Sequence, residues 1–270
     1  MLLFVTAFDT EARPLIDRLR LKRQPDKGFP VYAGENAWLA VSGIGKNNAA
    51  AATAHLHGRA GFPDNAVWIN PGIAGHRDLA QGEARLVHKL TDAATGRSWF
   101  PSITVHAPWQ SLPLVTLDRP GSDYAHDALV DMEASGFMET ALRFSTGELV
   151  HCLKIVSDNS VNPAVGVPKA SQVAAWIEPQ LDALETFCGL LQQQAETLRT
   201  PQSLADNFER LTTAMHVTVS QRNRLRHLLQ RWHALNGDVP LPGSVSTAKN
   251  ASALLDALQT ALDDARLVLA

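Results

Sequence analysis

The chain is short of several things that would have fixed its class at once. It holds two cysteines in 270 residues, Cys152 and Cys188, so there is no disulfide framework and a reducing, cytoplasmic setting is the expectation. Charge of either sign is not in excess: 24 Lys and Arg stand against 27 Asp and Glu. That balance gives no global argument for nucleic acid or an acidic membrane surface. No apolar run is long enough to span a bilayer. The longest opening stretch, "LLFVTAF", has no basic residue before it and meets Asp9 and Glu11 at once, which suits a buried strand better than a leader or a span. Repeats and low-complexity tracts are also missing.

What is present is a rhythm. Short apolar runs occur at Leu2–Ala7, Ala37–Val41, Ala66–Ile69, Ala84–Val87, Leu112–Leu117 and His151–Val156. Most are continuous rather than alternating, as in strands buried on both faces of a largely parallel sheet. Helical patterns run from about Thr10 to Arg20 and from about Lys46 to His57, and a third starts near Asp131. The fold class expected is α/β, a central mixed, largely parallel sheet flanked by helices, in a sandwich. Between about Leu90 and Trp109 the pattern fades into loops and irregular strands. From Gln172 to about Arg199 the chain is amphipathic and helical. Residues 200–270 form an added helical segment of about three helices, interrupted by "NGDVPLPGS". Two domains follow, 1–199 and 200–270.

Two glycine turns follow strands. "VSGIGKNNAAAAT" opens an alanine-rich helix, and its glycines permit a tight turn with exposed backbone amides. Neither phosphate motif fits. Ala40 stands where a P-loop needs its first glycine, and no Ser or Thr follows Lys46. Asn48 occupies the third glycine of the dinucleotide fingerprint. "WINPGIAGH" repeats the logic at the end of another strand. Either stretch alone is compatible with a plain turn.

Three acidic stretches complete the pattern. In "FDTEARPLIDRL", Asp9 or Thr10 can cap a helix and Glu11 suits its first turn. In "IVSDNS", Ser157 and Asp158 are either a turn signal or a carboxyl at a strand's end beside an apolar wall, where desolvation raises its pKa toward neutrality. In "LVDMEASGFMETA", Ala134, Phe137, Met138, Ala141 and Leu142 make one apolar helix face, with Glu133 just ahead of it and Met132 adjacent. Asp131 is the expected cap or turn residue.

Taken in order, Ala7-Phe8-Asp9-Thr10-Glu11, Ser42-Gly43-Ile44-Gly45-Lys46, Asn70-Pro71-Gly72-Ile73-Ala74-Gly75-His76, Asp131-Met132-Glu133-Ala134 and Ser157-Asp158 resemble the nucleoside phosphorylase and nucleosidase superfamily. The branch most similar is methylthioadenosine/S-adenosylhomocysteine nucleosidase. The resemblance covers about residues 1–195 and leaves the tail out. It implies cleavage of the N-glycosidic bond of a purine nucleoside or adenosyl compound. Asp158 would protonate the departing base, oriented by Ser157, with Ala74 and Gly75 offering backbone contacts. Glu133 would accept from the ribose hydroxyls with Met132 against the sugar, and Glu11 would activate water. No cofactor is implied, phosphate being a co-substrate only for a phosphorylase, and a homo-oligomer is implied.

Departures from the family pattern mark where specificity differs. Ile73 replaces a small hydroxyl residue near the nucleophile, which favours water over phosphate. Arg13 and Arg119 are the candidates for a phosphate. His76 replaces a glycine and is expected to narrow the pocket. The family's base-stacking aromatic has no counterpart near Leu117–Asp118, with Trp109 or Tyr124 as substitutes. In the tail, "SQRNRLRHLLQRW" carries Arg222, Arg224, Arg226 and Arg231, yet Leu225, Leu228, Leu229 and Trp232 fit one face. Residues 201–270 hold seven basic and six acidic residues, so a solvated face, without nucleic acid, is expected. His55 and His57 complete no metal motif, and no metal and no membrane insertion are expected.

Overall fold

The computed structural model describes residues 1–120, 127–163, 166, 168–198 and 202–267, and divides into two compact units, Met1–Arg199 and Thr200–Ala270. In the first unit the continuous apolar runs become strands. β1 (Leu2–Thr6) is buried throughout and pairs in parallel with β4 (Ala37–Val41) on one side and β5 (Val67–Gly75) on the other. Period-two alternation then divides the core. Leu2, Phe4 and Ile69 face α1 (Asp9–Arg18), α4 (Ala170–Ile177) and α5 (Leu181–Thr197). Leu3, Val5 and Trp68 face α2 (Lys46–Arg59) and α3 (Ala134–Ala141). Residues 172–199 do not form one helix: Glu178-Pro179-Gln180 makes a 3₁₀ turn between α4 and α5.

The sheet departs from the expected one in two ways. It also holds β2 (Lys22–Gln24), β3 (Val31–Ala33), β6 (Ala84–Asp92), β7 (Ser98–Trp99), β8 (Ser111–Thr116), β9 (Leu129–Asp131) and β10 (Val150–Asp158). Five of its ten pairings are antiparallel, so it is mixed rather than largely parallel. It also curls shut: β5 pairs β10, β10 pairs β6, β6 pairs β8, β8 pairs β9, and β9 returns to β5 at Gly75. A flat open sheet would have two edges here; the ring has none.

The closure depends on β5 changing partners. Its pairing with β1 ends at Ile69, and its pairing with β9 begins only at Gly75. Pro71, which has no N–H to offer a ladder, falls in that gap. Side chains fill what the strands leave: Asn70 donates to the Val5 carbonyl at 2.8 Å, and the Ile73 amide donates to Glu11 at 2.9 Å.

Helix α3 lies against the start of α2. A Cβ on Gly136 would stand 1.8 Å from the Lys46 carbonyl oxygen, so only glycine permits this crossing. The second unit is built from α6 (Gln202–Thr213), α7 (Val219–Asn236), a single-turn α8 (Gly243–Ser246) and α9 (Ala251–Leu267). Its core includes Leu211, Leu225, Leu228, Leu229, Leu254 and Leu258. Arg222, Arg224 and Arg226 are exposed on α7, with Arg226 over the Phe208 ring at 4.8 Å. No helix among the described residues is long and apolar enough to cross a membrane.

Gly136→Ala is expected to lower stability by about 1–3 kcal/mol, because the methyl group has backbone against it rather than a movable side chain. Urea unfolding measures this, and an unchanged midpoint would show that α3 slides without cost.

Candidate active site

Strands β5 and β10 run side by side and end together. Val156 pairs with Ala74 and Asp158 with Gly75, and the register slips by one residue between them. The extra residue is Ser157, a β-bulge that turns the strand at its carboxyl end. Its hydroxyl donates to Asp158 Oδ1 at 2.5 Å and leans on the Ala74 carbonyl at 3.4 Å. Its own carbonyl accepts from Gln81 at 2.7 Å, and the Asp158 carbonyl accepts from the His76 amide at 3.0 Å. The bulge thereby fixes the Asp158 carboxyl at the wall of a cavity of about 680 Å³.

Glu133 lines the same cavity. Gly45, at φ +101°, turns its amide onto Glu133 Oε1 at 2.8 Å. This backbone conformation is one that glycine adopts without strain. Burial, and then the neighbouring charge of Asp131, push the Glu133 carboxyl up to about 7. Met132, Ala74, Gly75 and Ser157 also line the cavity.

Glu11 is close by but does not form the lining. It is 3% exposed, accepting from the Ala7 and Phe8 amides with Oε2 and from the Ile73 amide with Oε1. Helix α1 is therefore capped backwards by Glu11, with Phe8 at the N-cap position, and Asp9 is already helical rather than a cap. Burial raises the Glu11 pKa; the amide bond from Ile73 and then the charge of Lys154 act against that rise, and the net direction is up. Gly72, having no side chain, leaves room for both groups: its Cβ would lie 3.0 Å from Glu11 Oε1 and 3.5 Å from Lys154 Nζ.

Asp131 is more than a cap. It accepts from the Ala134 amide at 2.9 Å, as a cap would, but is buried, receives Thr116 Oγ1 at 2.7 Å and pairs with Lys154 at 3.1 Å. Lys154, 2% exposed, also donates to Asn70 Oδ1 at 2.7 Å. Burial alone would lower its pKa, but the surrounding acids, Asp131 first, outweigh it and the net direction is up. The ammonium stays charged.

Several expected residues stand elsewhere. Trp109 is outside the cavity, edge-on to Phe187 with its indole N–H on Gln180 at 3.0 Å. Tyr124 lies outside the described residues. Among the described residues, the aromatics lining the cavity are Phe8 and Trp176, the latter packed over Gly82. His76 does not line the cavity and so does not narrow it. Its Nδ1 accepts from the Asp78 and Leu79 amides, both at 3.1 Å, and burial lowers its pKa, which leaves a neutral ring. Arg13 is exposed and paired with Asp17, away from the cavity, whereas Arg119 and Ile73 line it. Lys154 went unread in the sequence. The available signal was a lysine in the middle of the apolar run "HCLKIV". Among the described residues no cluster of three or more His, Cys, Asp or Glu side chains is placed to hold a metal.

The Glu133 pKa has a consequence for stability. A carboxyl raised from 4.5 to about 7 favours the fold while protonated, and that contribution is lost as pH rises through this window. Glu133→Gln has nothing to ionise, so its Tm relative to the parent protein is expected to rise between about pH 5 and pH 8. Thermal melts across that range check this; a difference that stays flat would contradict the buried, charge-crowded setting.

No protein-family model and no curated protein sequence matches the chain. Solved structures do. The 5′-methylthioadenosine nucleosidase of Arabidopsis thaliana matches with a TM-score of 0.53 and 21% identity, over 72% of this chain and 95% of that one. The 5′-methylthioadenosine/S-adenosylhomocysteine nucleosidase of Campylobacter jejuni matches with a TM-score of 0.55 and 15% identity, over 69% and 97%. The S. pneumoniae enzyme, solved with the transition-state inhibitor MT-ImmA, matches with a TM-score of 0.53 and 19% identity, over 69% and 97%. At such identities the likeness is one of architecture: the chain has the fold of these 5′-methylthioadenosine and 5′-methylthioadenosine/S-adenosylhomocysteine nucleosidases.

Proposed function

We propose that the protein hydrolyses the N-glycosidic bond of a purine nucleoside or adenosyl compound, with water as the nucleophile. The observation that carries this reading is that Asp158 and Glu133 line one cavity, each held by a specific donor: Ser157 for the first and the Gly45 amide for the second. Breaking the bond leaves positive charge on the ribosyl ring and negative charge on the base. Asp158, positioned by Ser157, protonates the departing base nitrogen. Glu133 accepts from the ribose hydroxyls, and its negative charge favours the cationic ring. Met132 packs on the sugar, and the backbone at Ala74 and Gly75 meets the base. Glu11 takes the proton from the attacking water. One acid and one base are thus divided between two sides of the ring, as in glycoside hydrolysis. In this reading the protein is a cytoplasmic homo-oligomer that uses no cofactor.

Phosphate as nucleophile is the second reading, and Arg119 at the cavity is the observation in its favour. Against it, Ile73 offers no hydroxyl, and a phosphate dianion would enter beside Glu133, Asp131 and Asp158. Adenosine, methylthioadenosine and inosine, each assayed with and without phosphate, separate the two. Base release independent of phosphate is expected, and strict phosphate dependence would overturn hydrolysis.

Asp158→Asn is expected to lower kcat by about 10²–10⁴-fold with ligand binding largely kept. Binding across the panel with no turnover by the parent protein would instead indicate a non-catalytic nucleoside-binding module. Glu133→Gln should weaken binding as well as rate, while Asp131→Asn leaves Lys154 without its paired carboxylate and so lowers stability.

A further inference from the structure

One buried ion takes no part in that scheme. Lys154 is buried on β10, and several elements present polar groups to it. β9 offers Asp131 at 3.1 Å, and β5 offers the Asn70 side-chain oxygen at 2.7 Å. Glu11, at the start of α1, and Glu133, ahead of α3, both act on its charge. Cys152, two residues back on β10, is a thiol that burial pushes up to about 12, and so is neutral. Arg85, its register partner on β6, is engaged with Glu83 and the Ala84 carbonyl. Among these groups Lys154 is the cation that three carboxylates share.

We propose that Lys154 is a positioning residue that acts through Glu11, its ammonium anchored by Asn70 and Asp131 so that it holds the Glu11 carboxyl in place behind Gly72 and opposes its protonation. The geometry supports this on three counts. Two fixed contacts leave the ammonium little freedom to turn away. The missing side chain of Gly72 lets Glu11 Oε1 and Lys154 Nζ approach the same point, to 3.0 and 3.5 Å. Glu11 is 3% exposed, so backbone amides and Lys154 are what oppose protonation on burial. Without the lysine, the amides alone oppose burial, and the carboxyl takes up a proton more readily and is less available as a base.

The function assigned to Glu11 rests on the nucleosidase reading; its charge state does not. The test therefore has two arms. Carbon-13 NMR of glutamate side-chain carboxyls, with the Glu11 signal assigned from Glu11→Gln, follows the titration in the full-length protein. Lys154→Met is compared with Lys154→Arg and with the double variant Lys154→Met, Asp131→Asn, which removes the ion pair as a unit and so avoids an orphaned buried charge. The Glu11 midpoint is expected to rise by about one to three pH units in both Met variants and to be restored by Arg. A midpoint unmoved in the double variant overturns the proposal. In the second arm, the acidic limb of the kcat/KM profile is expected to move with the Glu11 midpoint; a limb that stays put while the carboxyl moves would also overturn it. A parent protein that cleaves nothing on the panel refutes the nucleosidase reading, and the carboxyl titration still decides Lys154.

Discussion

The buried pair of Lys154 and Asp131 is the constraint on which the site depends. Two charges taken out of water lose several kcal/mol of hydration each, and their attraction restores this only with good geometry and further hydrogen bonds. Both conditions are met. Asp131 also receives Thr116 and the Ala134 amide, and Lys154 also reaches Asn70. Each of those partners belongs to a different element: β8, α3 and β5. The pair thus ties together the strands that close the ring and the helix that carries Glu133. An apolar pair of equal volume would serve stability at least as well. The charges have to be explained by what they do for the neighbouring carboxyls.

The second constraint is the divided edge of β5. A strand that exchanges β1 for β9 must leave some backbone groups without a strand partner, and buried amides without partners are costly. Pro71 removes one amide, and Glu11 satisfies another at Ile73. The carboxylate is therefore part of the sheet's hydrogen-bond accounting as well as a candidate base. Bonding at Glu11 is local on one side, to Ala7 and Phe8, and distant on the other, to Ile73. It links the end of β1 to the middle of β5, beside the cavity wall.

Much of this was legible in the sequence, for particular reasons. Ala37–Val41 and the core of His151–Val156 are continuous apolar runs, which only doubly buried strands need, and they appear where expected. Glycine turns and acids at strand ends marked the site because turn chemistry leaves a signature in residue type. What escaped was set by long-range pairing. Strands β2 and β9 are three residues long, and β2 reads Lys-Arg-Gln, so no period can be seen. The antiparallel returns and the closure through β9 depend on which strand finds which, and no local pattern records that. Asp131 looked like a surface cap because its sequence neighbours fit a helix start; its partner lies 23 residues on, in a strand. Trp176 belongs to an amphipathic helix, and nothing local says that its ring faces a cavity rather than the core.

The acids around the cavity also couple binding to protonation. With Glu133 pushed up to about 7, the empty site near neutrality holds a mixture of protonated and ionised forms. A ligand hydroxyl that donates to this carboxylate favours the ionised form, since hydrogen bonds to the charged state lower a carboxyl's pKa. On the nucleosidase reading, a ribose diol would therefore expel the proton that burial and Asp131 hold there. The charge that results lies next to the ring that becomes cationic, and it becomes complete only when substrate is present. The empty protein is thereby spared a second fully ionised carboxylate beside Asp131, and the occupied one gains it where the transition state needs negative charge.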